Sequence, residues 1–129
     1  MRIAALSMIA VMALTAPALA QTTADDIGPN ADRDFWCGAA FGVLVYTLGQ
    51  VGDTEGSTAA NANMTALFTG IAVAMQEKQQ PREDYDALVA QYTNAVMDPF
   101  ARSAKSYTRE ECDAAAAAAV AAMPAAPAQ

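Results

Sequence analysis

The sequence predicts an all-α fold, a small four-helix bundle stapled by one disulfide bond. Apolar residues recur at helical spacing in four successive segments, and no segment shows the alternation of a half-buried strand. Cys37 and Cys112, the only cysteines in the 129 residues, stand near the starts of the first and last of these segments. A short turn at Pro99, where the helical pattern is interrupted, would make a fifth helix.

The first 20 residues have the pattern of a secretory signal peptide. Arg2 provides one positive charge, an apolar stretch follows, and small residues surround the end of the segment. Cleavage after Ala20 fits this pattern, and Ala18 ends a second small-x-small triplet. The apolar stretch is short for a membrane span, so we expect no stable membrane insertion after cleavage. The leader predicts export, with the bacterial periplasm as the destination.

Residues 21–32 and 124–129 flank the helical domain that we expect at residues 33–123. The first segment is polar, has no apolar periodicity and is typical of a flexible N-terminal tether. The second contains two prolines among alanines, and we expect a disordered tail there. A domain of this size has a modest core, so a covalent crosslink would offset the thin packing of its many alanines.

The first predicted helix is uncharged, and the second follows a polar loop. Residues 35–52 contain no charged side chain, and a helix that is apolar on nearly all sides is usually central in its bundle. Asp32 or Asp34 would cap its start. The second helix follows a polar loop, and Ser57 or Thr58 would cap it.

The last two helices have clearer start signals. Pro81 suits the first turn of the third helix, and the acids that follow it are favoured there by the helix dipole. Tyr85 and Tyr92 belong to the apolar stripe of this helix. The fourth helix begins with Thr108 and Glu111, which have the spacing of a capping box.

Cys37 and Cys112 are expected to form a structural disulfide. An even cysteine count in an exported chain indicates a bond. The alternative is a redox or nucleophilic thiol, but the chain has no Cys-x-x-Cys motif and no histidine to act as a base. Acids on both sides of Cys112 would also oppose thiolate formation. The bond would tie the first predicted helix to the last.

The composition argues against several classes of function. The formal net charge is −7, which argues against nucleic acid as a partner. The absence of histidine removes His-based triads and His-metal clusters. The chain also lacks a Gly-rich phosphate loop, a nucleophile elbow and a zinc pattern. We therefore predict no catalytic residues, no metal ligands and no cofactor, and a protein that is not an enzyme.

Acidic residues cluster with an arginine at two predicted helix starts. Arg82 precedes Asp86 by four residues, and Arg109 precedes Asp113 by the same spacing, so each arginine could pair with that aspartate. Paired acids can perform glycoside chemistry when one of them is buried and its pKa is raised. Solvated helix starts explain these clusters better.

Two further pairs of residues are candidates for binding. Gly38 and Gly42 form a small-xxx-small pair, which allows a helix to approach closely, either within the bundle or at the seam of a homodimer. Tyr85 and Tyr92 are candidates for lining a ligand pocket between alanine-rich helices, because each combines a ring with a polar hydroxyl.

These observations predict a small secreted, non-enzymatic helical protein of the periplasm, present as a monomer or weak homodimer. We expect it to bind another protein or a peptide, as an accessory, inhibitor, immunity or chaperone-like factor. The alternative is a carrier of a small apolar ligand in a cavity between helices. A buried, connected pocket beside Tyr85 or Tyr92 would favour the carrier, and a filled core would argue against it.

Overall fold

The structure, a computed structural model, describes residues 22–98 and 106–124. These two ranges form five helices and contain no strand, which confirms the all-α fold. Four of these helices are long, and the additional one is a single turn near the N-terminus. The predicted signal peptide, the predicted turn at Pro99 and residues 125–129 of the predicted tail lie outside the described residues. The helices are α1 (Ala24–Ile27), α2 (Ala31–Gln50), α3 (Thr54–Glu77), α4 (Arg82–Met97) and α5 (Arg109–Ala122).

Helix α2 is central and contacts each of the other four helices. Its first half is the core of the bundle: Phe35 and Cys37 are fully buried, and Phe41 is buried beside them. Its second half emerges into solvent, where Tyr46 is 69% exposed, and Val51, which directly follows the helix, is 77% exposed. The uncharged composition of α2 therefore predicts its central place correctly, but burial extends over only half of its length.

The disulfide bond between Cys37 and Cys112 is present and links α2 to α5, with the two Cα atoms 5.1 Å apart. It lies within a hydrophobic cluster that includes Trp36, Phe41 and Leu67 and the buried alanines of α5. Because alanine side chains bury little area, the bond supplies much of what holds α5 against the bundle. The structure thus confirms the predicted link between the first and last long helices.

Residues 22–32 are packed against the bundle, which corrects the expectation of a flexible segment for this described part of residues 21–32. Thr22 is buried, and its N–H donates to the carboxylate of Asp84 at 3.1 Å. The Thr22 hydroxyl lies 2.5 Å from the same carboxylate oxygen and 2.7 Å from Oε1 of Gln80. Ile27 of α1 is buried in a second hydrophobic cluster. A one-turn helix has too few residues to show apolar periodicity, so the sequence pattern does not reveal it.

The start of α3 also differs from the prediction. Asp53 caps this helix, and its carboxylate accepts a hydrogen bond from the N–H of Gly56 at 2.9 Å. Ser57 and Thr58, the predicted caps, lie inside the helix. The Ser57 hydroxyl donates instead to the carbonyl of Val45 in α2 at 3.1 Å, which fixes the loop between α2 and α3.

The other long helices begin close to their predicted positions. Asn30 occupies the N-cap of α2, so neither Asp32 nor Asp34 caps it. The capping box at the start of α5 is present as predicted. The Glu111 N–H donates to the Thr108 hydroxyl at 3.2 Å, and the Thr108 N–H donates to the Glu111 carboxylate at 2.7 Å.

Candidate functional site

Tyr85 and Tyr92, the predicted pocket residues, line two different concavities. Tyr85 lines a groove of about 660 Å³ between α3 and α4. Tyr92 lines a concavity of about 340 Å³ between α4 and the N-terminal segment. Both rings pack against Phe35, with centroid distances of 6.2 Å for Tyr85 and 5.1 Å for Tyr92. The two tyrosines therefore share a core contact but do not form one site.

The larger concavity, which we call the α3–α4 groove, lies between two helices whose backbones approach each other closely at few positions. A short loop joins them, and side chains bridge the space between them, with the rings of Phe68 and Tyr85 6.4 Å apart. The groove is open to solvent along one side, and its lining combines buried and half-buried side chains with an exposed rim. It is defined by Met64, Phe68, Ala72, Val73 and Met75 of α3 and by Arg82 and Tyr85 of α4.

The α3–α4 groove is apolar and free of acids. No carboxylate is among the described residues that line it, although the chain has 14 acidic and 7 basic residues. Arg82 is the charged member of this lining. Thr65, Thr69 and Gln76 add neutral polar groups at exposed positions of the rim. The groove therefore differs in charge from the chain as a whole.

Gly38 and Gly42, the predicted small-xxx-small pair, support the floor of this groove. A Cβ atom at Gly38 would lie 2.8 Å from the ring of Phe68, and one at Gly42 would lie 3.2 Å from the sulfur of Met64. Both glycines therefore allow α2 and α3 to pack closely within one chain. The homodimer interpretation of this pair stays a prediction.

Arg82 and Arg109 begin α4 and α5 in the same local pattern, and each guanidinium lies over an aromatic ring, that of Arg109 over Phe41 at 5.9 Å, but they differ in their ion pairs. The Arg109 Nε donates to both carboxylate oxygens of Asp113 at 3.0 Å, as the spacing predicts. The Arg82 guanidinium forms no ion pair with Asp86 or with any other carboxylate in the described ranges. It lies over the ring of Tyr85, 5.7 Å from the centroid. Its N–H donors are therefore available to a ligand at the groove.

A cluster of hydrogen-bonded polar side chains, separate from the groove, joins α2, α4 and the segment before α5. Asp32 accepts hydrogen bonds from the hydroxyls of Tyr92 and Tyr107, the second at 2.8 Å. Burial, followed by the hydrogen bond to Asp32, raises the pKa of Tyr107 to about 12, and the same causes raise the pKa of Tyr92. Both phenols stay protonated at neutral pH and act as donors, so this cluster is an internal crosslink.

Among the described residues, few other groups could take part in catalysis or bind a metal ion. The acidic residues beside Arg82 and Arg109 include exposed carboxylates such as Glu83 and Glu110. Within 22–98 and 106–124, no group of three or more Cys, Asp or Glu side chains could hold a metal ion. Every buried side-chain nitrogen or oxygen in these ranges has a hydrogen-bond partner. None of the helices described is both long and apolar enough to cross a membrane.

Comparisons with protein-family models, with curated proteins and with solved structures found no match. The class that the fold and the site define is a small all-α bundle with one interhelical disulfide and an apolar groove between two of its helices. The function is therefore inferred from the chemistry of the α3–α4 groove itself.

Proposed function

We propose that the protein is a small, exported, non-enzymatic helical protein that binds another protein or a peptide in the α3–α4 groove. The observation that carries this proposal is the groove itself, an open apolar surface in a chain of strongly acidic composition. Exposed apolar surface of this kind is a common mark of interaction sites.

The openness of the groove favours a protein or peptide over a small apolar ligand. Sites for small molecules commonly bury about 70–90% of the ligand surface. A groove that is open along one side leaves much of such a ligand in water. An amphipathic segment has a polar face that belongs in water, so it fits an open groove better. A buried, connected pocket beside Tyr85 or Tyr92 would favour the carrier hypothesis, and both of these concavities are open to solvent.

The length and lining of the groove suit a helical segment. Its α3 side extends from Met64 to Gln76, about 18 Å at 1.5 Å per residue. A partner helix places apolar anchors at positions i, i+3, i+4 and i+7, which span about 10 Å. The half-buried Met64 adds a flexible thioether side chain, which adapts to the shape of different partners, and the buried Met75 lies beneath the lining.

Export is the second part of the proposal and rests on separate support. The leader pattern of residues 1–20 predicts secretion. The disulfide bond between Cys37 and Cys112 fits an oxidising compartment such as the periplasm. The acidic net charge adds that the partner is not a nucleic acid.

Site-specific photo-cross-linking in producing cells tests the binding site. Benzoylphenylalanine is placed at Ala72, which lines the groove, or at Ala62, which is also exposed on α3 but lies outside it. We expect an adduct with a protein or peptide from position 72 and none from position 62. Equal adducts from both positions, or none from either, would contradict the proposal. An adduct with a small molecule at position 72 would support the carrier instead.

A further inference from the structure

We infer that the segment bound in the α3–α4 groove carries an acidic side chain that pairs with Arg82. This inference rests on the proposed function and adds the chemistry of the partner: an apolar, helix-forming peptide segment with a Glu or Asp at the Arg82 end of the groove. Three observations lead to it, namely the contacts of Arg82, the charge of the groove and the charge of the chain.

The contacts of Arg82 leave its guanidinium free for a partner. Asp86 stands one helical turn away, as Asp113 does for Arg109, but only Arg109 uses its aspartate. Arg82 lies on the face of Tyr85, which itself lines the groove. A cation on an aromatic face keeps its in-plane N–H donors open, because the contact uses the face of the guanidinium or one edge of it. Arg82 can therefore bind a carboxylate with two parallel hydrogen bonds.

The surroundings of Arg82 make a carboxylate the fitting group. An acidic side chain that enters an apolar groove loses water and needs a charged hydrogen-bond partner in return. Arg82 can supply that partner, and none of the described lining residues is a carboxylate that would repel the incoming acid. A neutral segment would instead leave the guanidinium partly desolvated against Tyr85 without a partner.

The charge of the whole chain turns this contact into a source of selectivity. The net charge of −7 disfavours an acidic segment at most positions of the surface. An acidic segment is accepted where the acid-free groove presents Arg82. The pairing therefore fixes both the location and the direction of the bound segment, because the acid must lie at the end of the groove where α4 begins.

A charge-swap experiment tests this inference with defined probes. The probes are fluorescein-labelled 14-residue helical peptides with a leucine stripe. Within a set the peptides differ at one position, which is Glu, Gln or Lys, and this position is moved along the peptide from one set to the next. Fluorescence anisotropy measures their Kd for the full exported chain and for Arg82→Gln and Arg82→Glu. Arg109→Gln is the matched control, since Arg109 begins a helix in the same pattern but is paired with Asp113. Ala72→Trp blocks the groove, and Ala62→Trp is its control.

We expect at least one Glu peptide to bind the natural chain roughly tenfold more tightly than its Gln counterpart, as for a partly desolvated charge pair. Arg82→Gln abolishes this preference, Arg82→Glu reverses it in favour of Lys, and Arg109→Gln leaves it unchanged. If Ala72→Trp blocks binding but the Glu preference survives in Arg82→Gln, the inference is wrong while the proposed function stands. Dodecanoate serves as a probe for a small apolar ligand. If no peptide binds, or if only dodecanoate binds and Ala72→Trp blocks its binding, the inference and the proposed function are both wrong.

Discussion

The carboxylate of Asp32 in α2 accepts a hydrogen bond from the hydroxyl of Tyr92 in α4. Its second oxygen accepts one from Tyr107, which precedes α5. One side chain therefore joins three parts of the chain by hydrogen bonds. The same arrangement has a consequence for stability at alkaline pH, because burial and the hydrogen bonds to Asp32 raise the pKa of both tyrosines.

The free energy of unfolding is expected to decrease above pH 10. Tyrosines in the unfolded chain lose their protons near pH 10, whereas Tyr107 keeps its proton to about pH 12 and Tyr92 also has a raised pKa. The unfolded state then binds fewer protons than the folded state, so the contribution of these two tyrosines to stability is constant below pH 10 and falls as the pH rises above it. The slope is at most about 1.4 kcal/mol per pH unit for each tyrosine.

Urea unfolding at pH 8, 10 and 11 checks this prediction, with Tyr107→Phe as the matched variant. This variant loses a hydrogen bond to a carboxylate, so we expect it to be less stable at pH 8 by about 1–2 kcal/mol. Its stability should then fall less steeply above pH 10 than that of the natural chain. Identical slopes for the two proteins would contradict the assigned role of the Asp32 cluster.

Loss of the disulfide is expected to be the largest single change in stability. The bond closes a loop with a sequence separation of 75, which corresponds to about 4.5 kcal/mol in the chain-entropy model. Cys37→Ala, Cys112→Ala and the double variant lose the same bond, so their Tm values should fall by similar amounts. Thermal melts followed by circular dichroism measure this, and reduction of the natural chain should produce a comparable decrease. Clearly additive effects of the two substitutions would refute the account.

Gly38→Ala is expected to destabilise the bundle by roughly 1–2 kcal/mol, because the added Cβ would overlap the ring of Phe68. Gly49→Ala is the matched control in the same helix, since a Cβ there meets nothing within 4 Å. This control should be unchanged or more stable by up to about 1 kcal/mol, because alanine favours the helix. Chemical denaturation compares the two, and equal effects would show that Gly38 has no packing role.

Asp53→Ala is expected to lower the free energy of unfolding by about 1 kcal/mol, the usual effect of removing an N-cap. Asp53 makes the capping hydrogen bond to Gly56. Thr58 bonds only to a carbonyl of its own helix, so Thr58→Ala should change stability by less than about 0.5 kcal/mol. Urea unfolding of both variants decides whether α3 begins where the structure places it. A larger effect from Thr58→Ala would favour the cap predicted from the sequence.

The sequence predicts what depends on local periodicity, and misses what depends on how helices meet. The four long helices and the capping box at Thr108 follow from spacing alone. The disulfide follows from the cysteine count and the predicted export. The single turn of α1 leaves no periodic pattern, and Thr22 is held by Asp84, a residue distant in sequence. The prediction of a flexible segment therefore fails for a tertiary reason.

The candidate site shows the same division. The sequence predicts Tyr85 on the apolar stripe, but the groove beside it depends on how closely α3 and α4 approach each other, which no sequence pattern reports. Arg82 and Arg109 have the same spacing to an aspartate, and only the structure distinguishes their contacts. One usable signal was present: an aromatic ring three residues after Arg82 lies on the same helix face. The sequence predicts Asp32 or Asp34 as a helix cap from residue type and position, and it does not reveal the tyrosine partners of Asp32, which are remote in sequence.

Methyl NMR of the protein tests the central claim, that the α3–α4 groove is the binding site. With ¹³C-methyl methionine, Met64 and Met75 report on the groove, while the exposed Met97 and Met123 lie outside it and serve as internal controls. We expect the leucine-stripe Glu peptide to shift or broaden the signals of Met64 and Met75 and to leave those of Met97 and Met123 unchanged. Shifts at Met97 or Met123 with unaltered groove signals would contradict the account.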